Sequence, residues 1–330
     1  MPLPERALIA ELRRVAATSA KSLAHGSTRS IVRGIGDDCA VLRPRSGWDT
    51  LVTTDFSLEG IHFRREWHPP DAVGHRCLAR GLSDIAALGG EPVAIFLSLA
   101  LPADLPQSWV RSFMRGMIRL AERHGAAIAG GDTASSPNGI LADIIVVGAV
   151  PKGKGVLRSS AQPGDRIFVS GELGGSAAAV TKMMAGAARK VTVKGYPRHF
   201  YPEPRIEVGQ VLRRKSLASA MIDTSDGLST DLLHICEESG AGANVDAALI
   251  PRARVGQPAR AVDLDLALHG GEDYELLFTA RPDKRVPAQI AGVTLTQIGE
   301  ITAARGIVSK GLDGKMRRLR PQGWEHFRSK

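Results

Sequence analysis

Ala220-Met221-Ile222-Asp223-Thr224-Ser225-Asp226-Gly227-Leu228 reads as a short apolar strand, an acidic turn, and the start of a helix that runs through Glu238. The same pattern recurs along the chain, where short apolar runs end in aspartate beside Gly, Ser or Thr. The other instances are Gly36-Asp37-Asp38, Thr53-Thr54-Asp55, Leu82-Ser83-Asp84 and Gly130-Gly131-Asp132, and Gly271-Glu272-Asp273 is a further acidic cluster. Around them, Leu51-Val52 predicts a strand ending near Asp55. Residues 71–88 and 108–124 predict helices. Pro92 to Leu101, Ala126 to Ala129 and Ile144 to Val147 predict strands, the last buried on both faces. Further strands are predicted at Arg166–Ser170, Glu275–Thr279 and Val293–Ile298, and an amphipathic helix at Leu8, Ile9, Leu12 and Val15. Residues 186–204 lack periodicity and read as a long loop. Strands mixed with helices in both halves indicate an α/β plus α+β architecture.

Any one of these acidic turns is also how a turn or a helix N-cap is written. Together they carry more, because strand ends in layered folds gather on one edge. Two carboxylates ~4 Å apart repel by about 4 kcal/mol at an effective dielectric of 20, so convergence demands a cation. Ligands that are all oxygen suit Mg²⁺ with phosphates. No HExxH occurs, and the 9 histidines are scattered. The common nucleotide signatures are also absent: no GxxxxGK[ST], no GxGxxG and no kinase HRD…DFG. Gly171-Glu172-Leu173-Gly174-Gly175-Ser176 follows a strand and opens a helix. It either holds an anion at the helix N-terminus or simply makes a tight turn. The residues thus suggest a Mg²⁺-dependent nucleotide enzyme outside the common nucleotide-binding folds.

At 330 residues the chain exceeds one ordinary core, and two domains are expected. The Gly-, Lys- and Pro-containing stretch Pro151–Gly164 sets the boundary, giving domains at 1–150 and 151–330. The hydrophobic share of 43% and charged share of 23% exclude disorder, and 5% aromatics imply an aliphatic core. No run approaches the ~18 apolar residues of a membrane helix, and the N-terminus lacks a secretory pattern, so a cytoplasmic protein is expected. Cys39, Cys77 and Cys236 form no CxxC or disulfide framework, and free buried thiols account for them. The net charge of +9 raises nucleic acid as a partner. However, Arg317-Arg318-Leu319-Arg320 and Arg213-Arg214-Lys215 carry no interleaved aromatics for stacking. Attraction for small anions fits the charge better.

The ordered strings resemble thiamine-monophosphate kinases across almost the whole chain. They are Gly34-Ile35-Gly36-Asp37-Asp38-Cys39-Ala40-Val41, Thr54-Asp55 with Leu58-Glu59-Gly60-Ile61-His62-Phe63, Leu82-Ser83-Asp84-Ile85-Ala86-Ala87-Leu88-Gly89, Gly130-Gly131-Asp132-Thr133, Asp223 to Leu228, Gly270-Gly271-Glu272-Asp273-Tyr274-Glu275-Leu276, and Gly323-Trp324. The resemblance implies ATP-dependent conversion of thiamine monophosphate to thiamine diphosphate, the last step in making that cofactor. It also implies the fold of aminoimidazole ribonucleotide synthetase, with the N-terminal domain pairing in a homodimer. It assigns several Mg²⁺ ions to Asp38, Thr54, Asp55, Asp84, Asp132, Asp223 and Asp226, with Thr53 standing where Ser is common. Asp55 and Asp223 are the acids whose loss should abolish turnover. Gly131, Asp132, Arg158 and Ser225 are implied at ATP. His62, Glu272 and Trp324 are implied at the thiamine end.

Each of the last assignments has a plainer alternative. His62 can be hydrogen-bonded at a strand edge, Glu272 can cap a helix, Trp324 can dock the C-terminal segment, and Arg158 can be a solvated charge. Two departures stand out. Arg80-Gly81 precede Leu82 where Asn is common, and Tyr201-Pro202-Glu203-Pro204-Arg205 stands in place of Arg-Pro-x-Pro-Arg. Another ATP-using enzyme of the same superfamily, or a non-catalytic nucleotide-binding protein, is the alternative reading.

Overall fold

The computed structural model describes residues 30–35 and 39–324 and, before them, positions 3, 7, 9–11, 13 and 14. Most of the predicted opening helix, and Asp38 among the site residues, lie outside the described residues. The chain separates into two units. The first runs to Ile85 and over Gly90–Lys154, and the second comprises Ala86–Gly89 and everything from Gly155.

In the first unit, β1 (Ile31–Arg33) and β2 (Val41–Leu42) form a small antiparallel pair. They are followed by β3 (Trp48–Leu58), α1 (Pro70–Ala87), β4 (Glu91–Pro102), α2 (Gln107–Arg123), β5 (Ala127–Ser136) and β6 (Leu141–Pro151). The sheet order is β3-β6-β4-β5, with only β4 and β5 parallel. Helix α2 buries Val110, Phe113, Met114, Met117 and Leu120, as its periodicity requires. It crosses α1 at a pair of glycines. A Cβ on Gly74 would lie 1.9 Å from the Phe113 carbonyl, and one on Gly116 1.8 Å from that of Asp71, so only glycine lets the two backbones touch.

Two strands outrun their predicted ends. β3 keeps an unbroken register with β6 from Trp48↔Pro151 to Leu58↔Leu141, so Asp55 lies mid-strand rather than at a turn. β5 pairs with β4 as far as Pro102↔Ser136, so Gly130-Gly131-Asp132 is ladder and not loop. An acid survives mid-strand where alternation turns it to a half-buried or open face, as for Asp55 and Asp132.

The second unit contains β7 (Arg166–Ser170), α3 (Gly175–Lys182), α4 (Pro197–Phe200), α5 (Ile206–Arg214), β8 (Ala220–Asp223), α6 (Leu228–Glu238), β9 (Gly242–Asp246), β10 (Arg254–Val255), β11 (Arg260–Ala261), α7 (Leu264–His269), β12 (Leu276–Ala280), β13 (Gln289–Ile290), β14 (Val293–Thr302), β15 (Gly306–Lys310) and β16 (Met316–Arg318). Its main sheet runs β16-β15-β9-β14-β7-β12-β8, with β13 on β14. Only β15 and β9 are parallel. Ile167, Val169, Ile222, Leu232, Leu277 and Ile298 are at the centre of its aliphatic core. The predicted loop over 186–204 is partly helical. A widened turn, Met183–Ala187, breaks at Gly186, whose φ is +78°, and α4 follows.

Candidate active site

In the second unit, the β8–β12 ladder continues past both strands and grips the acidic turn. Thr224 N–H donates to the Glu275 carbonyl at 2.8 Å, Tyr274 N–H to that of Thr224 at 3.0 Å, and Glu272 N–H to that of Ser225 at 2.8 Å. To make these bonds, Glu272 and Tyr274 take positive φ, +65° and +51°, an uncommon conformation for such residues and one that concentrates at functional sites. The C-terminal strap closes on the same turn. Trp324 N–H donates to the Asp226 carbonyl at 3.1 Å, and Gly323 N–H to Thr230 Oγ1 at 3.1 Å. A Cβ on Gly323 would meet Asp226 O at 2.3 Å, so the strap needs glycine there. Asp223, Ser225, Asp226, Glu272 and Trp324 are therefore brought together, although they span about a hundred positions. The Trp324 side chain is 54% exposed, so it does not anchor the segment in the core.

A third acid completes this turn. Asp231 on α6 accepts the Gly227 N–H at 3.0 Å. Its burial, then the charges of Asp223 and Asp226, hold its carboxyl well above the usual range.

The N–H groups of the glycine-rich segment before α3 are taken by a carboxyl group of the protein itself. Asp273 accepts Gly174 N–H at 2.6 Å and Ser176 N–H at 3.3 Å. Burial pushes its carboxyl up to about 7. Next to it, Glu275 is fully buried and receives Arg205 on both oxygens (2.7 and 2.5 Å), Arg198 at 2.5 Å and Ser170 Oγ at 2.5 Å. The departure at Tyr201 is thus accompanied by a second arginine arriving from α4.

In the first unit, strand alternation divides the predicted ligands between two faces. Thr53 Oγ1 donates to Asp84 on α1, and Asp55 shares that helix-covered face. Thr54 points the other way and donates to Asp143 at 2.8 Å. The pairings Asp143↔Ser98 and Ser98↔Asp132 put Asp132 on the Thr54 face, two strands or about 10 Å from Asp143. Arg80, the unusual residue on α1, donates to the Phe56 carbonyl at 2.9 Å and so brings a guanidinium to this strand. Gly81 leaves room for Val146, which a Cβ would meet at 2.6 Å. His62 Nδ1 accepts the Leu58 N–H at 3.0 Å, which places its ring proton on Nε2. Arg158 is exposed, in a turn whose carbonyl accepts Ser239 Oγ, and no described contact carries its side chain to Ser225. Cys39 is exposed, contrary to the expectation of three buried thiols, while Cys77 and Cys236 are buried.

A cavity of about 610 Å³ in this unit is lined by Gly34, Ile35, Cys39 and Ala40, by Phe96, Leu97 and Met114, and by Gly130 to Thr133. Gly131 has a φ of +148°, and a Cβ there would sit 1.9 Å from the Leu97 carbonyl. Thr133 Oγ1 is buried with no partner among the described residues. Among the described residues, no three His, Cys, Asp or Glu side chains form a metal cage by themselves.

The AIR synthase related protein N-terminal domain matches residues 36–153, and the corresponding C-terminal domain matches 162–311. The thiamine-monophosphate kinase of Escherichia coli K12 is 38% identical over 305 residues, covering 89% of this chain and 91% of that one. The chain belongs to the thiamine-monophosphate kinase family. The crystal structure of thiamine-monophosphate kinase from Stenotrophomonas maltophilia K279a superposes with a TM-score of 0.79 at 35% identity, covering 90% of this chain and 95% of that one. A structure of AaThiL complexed with AMPPCP and TMP superposes at 0.74 with 31% identity, covering 86% and 89%.

Asp143, Thr133 and Asp231 are the polar residues at these sites that the sequence reading missed. Asp143 is the lone acid of an apolar strand and Asp231 an acid on the buried face of α6, and each of those placements is a signal worth following.

Proposed function

We infer that this chain is a thiamine-phosphate kinase, which transfers the γ-phosphoryl group of ATP to thiamine monophosphate and completes the synthesis of thiamine diphosphate. The observation that carries this reading is the clamped turn. Asp223, Ser225, Asp226, Glu272 and Trp324 are drawn together by backbone bonds in a chain whose relative is complexed with AMPPCP and TMP. Glu272, Trp324 and, in the first unit, His62 are assigned to thiamine monophosphate. Gly131, Asp132, Arg158 and Ser225 are assigned to ATP. The cavity beside Gly131 supports the ATP assignment, because its apolar walls suit a base and Thr133 offers a hydroxyl that has no partner among the described residues.

The acceptor is a phosphate monoester with a second pKa of about 6, so the attacking oxygen is already ionised at neutral pH. Direct in-line transfer then requires no general base, and positioning with charge neutralisation provides the catalysis. The paired oxygen donors, Thr53 with Asp84 and Thr54 with Asp143, fit Mg²⁺, which uses one or two carboxylates with phosphates and water rather than a full protein cage. Asp38, Thr53, Thr54, Asp55, Asp84, Asp132, Asp223 and Asp226 are the residues proposed to hold several such ions. When bound, Mg²⁺ supplies neutralisation of the phosphate charge. Asp231, whose carboxyl keeps its proton to higher pH, is read as a support of the turn.

We assign a homodimer through the first unit's sheet. On β3, Val52 and Phe56 are 67% and 55% exposed beside Thr54, an apolar stripe on an edge strand. Light scattering tests this, and a mass of one 35.1 kDa chain would refute it. A cytoplasmic reaction is the reading that ATP use and reduced thiols support. No helix among the described residues is long and apolar enough to cross a membrane. The functional test is ADP release with Asp55→Ala and Asp223→Ala, each expected to abolish turnover. Near-wild-type rates in both would overturn the assignment.

A further inference from the structure

The second unit holds a cavity of about 420 Å³ that includes none of the residues assigned above to ATP, thiamine monophosphate or Mg²⁺. One wall is the β10–β11 hairpin, another is the C-terminal end of α3, and the start of α7 closes it. Its volume lies within the ~300–1,000 Å³ range of small-molecule sites. Ala178, Val255, Val262 and Leu266 give it an apolar floor.

Cations outnumber acids among its polar side chains, and these cations have no carboxylate partner among the described residues. Lys182, the last residue of α3, makes a single long hydrogen bond, to Tyr196 Oη at 3.4 Å, and has no carboxylate partner among the described residues. Tyr196 is buried, and in that bond its oxygen accepts, so its own hydroxyl proton has no acceptor among the described residues. Arg260 on the hairpin has no ion pair among them either. Asp263 is the one acid in the lining, and it is exposed. In sequence, Arg189, Lys190 and Lys194 lie between α3 and Tyr196, and Arg254 precedes Val255 on β10. The backbone of α3 from which Lys182 projects is anchored at the other end of the helix, where Asp273 ties down the first turn. A cation on an anchored helix beside apolar walls suits an anion with an apolar body.

We propose that this cavity binds a small organic anion. Its apolar part lies against Val255, Val262 and Leu266, and its carboxylate or phosphate takes Lys182, the Tyr196 hydroxyl and Arg260. Isothermal titration of the full chain with phenyl phosphate and with benzoate tests this, with saturating AMPPCP present to fill the ATP site. The two probes separate a phosphate from a carboxylate preference. Saturable binding of at least one probe is expected, weakened tenfold or more in K182A/R260A and several-fold in Y196F. K182R/R260K should stay within about threefold of the wild type. Inorganic phosphate alone should bind at least tenfold more weakly than the better probe. Thiamine monophosphate turnover in K182A/R260A should match the wild type and shows that this variant is folded. The proposal is overturned if neither probe binds, if K182A/R260A binds as well as the wild type, if AMPPCP abolishes binding, or if inorganic phosphate binds equally well.

Discussion

Replacing Arg205 by Met removes the bidentate partner of a carboxylate that has no exposure to water. Glu275 is 0% exposed and Arg205 9%, so their pairing is sheltered from solvent. Truncating one partner of such a pair costs ~3–5 kcal/mol, because the other charge stays buried. Arg198 and Ser170 continue to hold Glu275, which places R205M near the lower end, about 3 kcal/mol. For a unit of this size, 1 kcal/mol corresponds to roughly 2–4 °C, so the second unit's calorimetric midpoint should fall by about 6–12 °C. E275Q alone strands Arg205 and should cost a similar amount. The double variant R205M/E275Q removes both charges and should cost clearly less than the two singles summed, with a coupling of about 2 kcal/mol or more. R205M within 1 kcal/mol of wild type, or strict additivity in the double, would refute the claim that this pair is a buried, mutually dependent unit.

Three further outcomes follow from single contacts. Gly323→Ala forces a Cβ to within 2.3 Å of Asp226 O and should lift the Trp324 strap. The KM for thiamine monophosphate should rise about tenfold or more with little change in thermal midpoint, and an unchanged KM would show the strap to be idle. The Asp273 carboxyl, pushed up to about 7 by burial, titrates near 3.9 when unfolded, so the folded state binds the extra proton between those values. Stability should therefore fall as pH rises from about 4 to about 7, by up to ~4 kcal/mol. Asp273→Asn should flatten that slope, and equal slopes in denaturant titrations would contradict this. In native thiol titration Cys39 should react quickly, while Cys77 and Cys236, raised by burial to about 12 and about 11, should react only on unfolding. Three equally fast thiols would exclude this burial pattern.

Much of the candidate site's local framework was readable because it is written locally. A strand, an acidic turn and a helix at 220–228 announce themselves through apolar runs and glycine, and the structure builds them so. What stayed hidden depends on distant partners. Asp55 and Asp132 look like strand-end acids, since nothing near them in sequence tells that β6 and β4 carry the ladder past them. The group that takes the N–H donors at the start of α3 is the Asp273 carboxyl, about a hundred residues away. The positive φ at Glu272 and Tyr274 arises from pairing with residues 224 and 225, and no local propensity encodes it. Asp143 and Asp231 escaped because the sequence shows only an acid among apolar neighbours, and the hydroxyl or backbone N–H that gives each its role comes from the fold.

The central claim is phosphoryl transfer from ATP to thiamine monophosphate, and following both products with purified full-length protein tests it most directly. The account predicts ADP and thiamine diphosphate in equal amounts, formation that requires Mg²⁺, and no ADP when thiamine monophosphate is omitted. ADP release that does not depend on thiamine monophosphate, or none in the presence of both substrates and Mg²⁺, would contradict it.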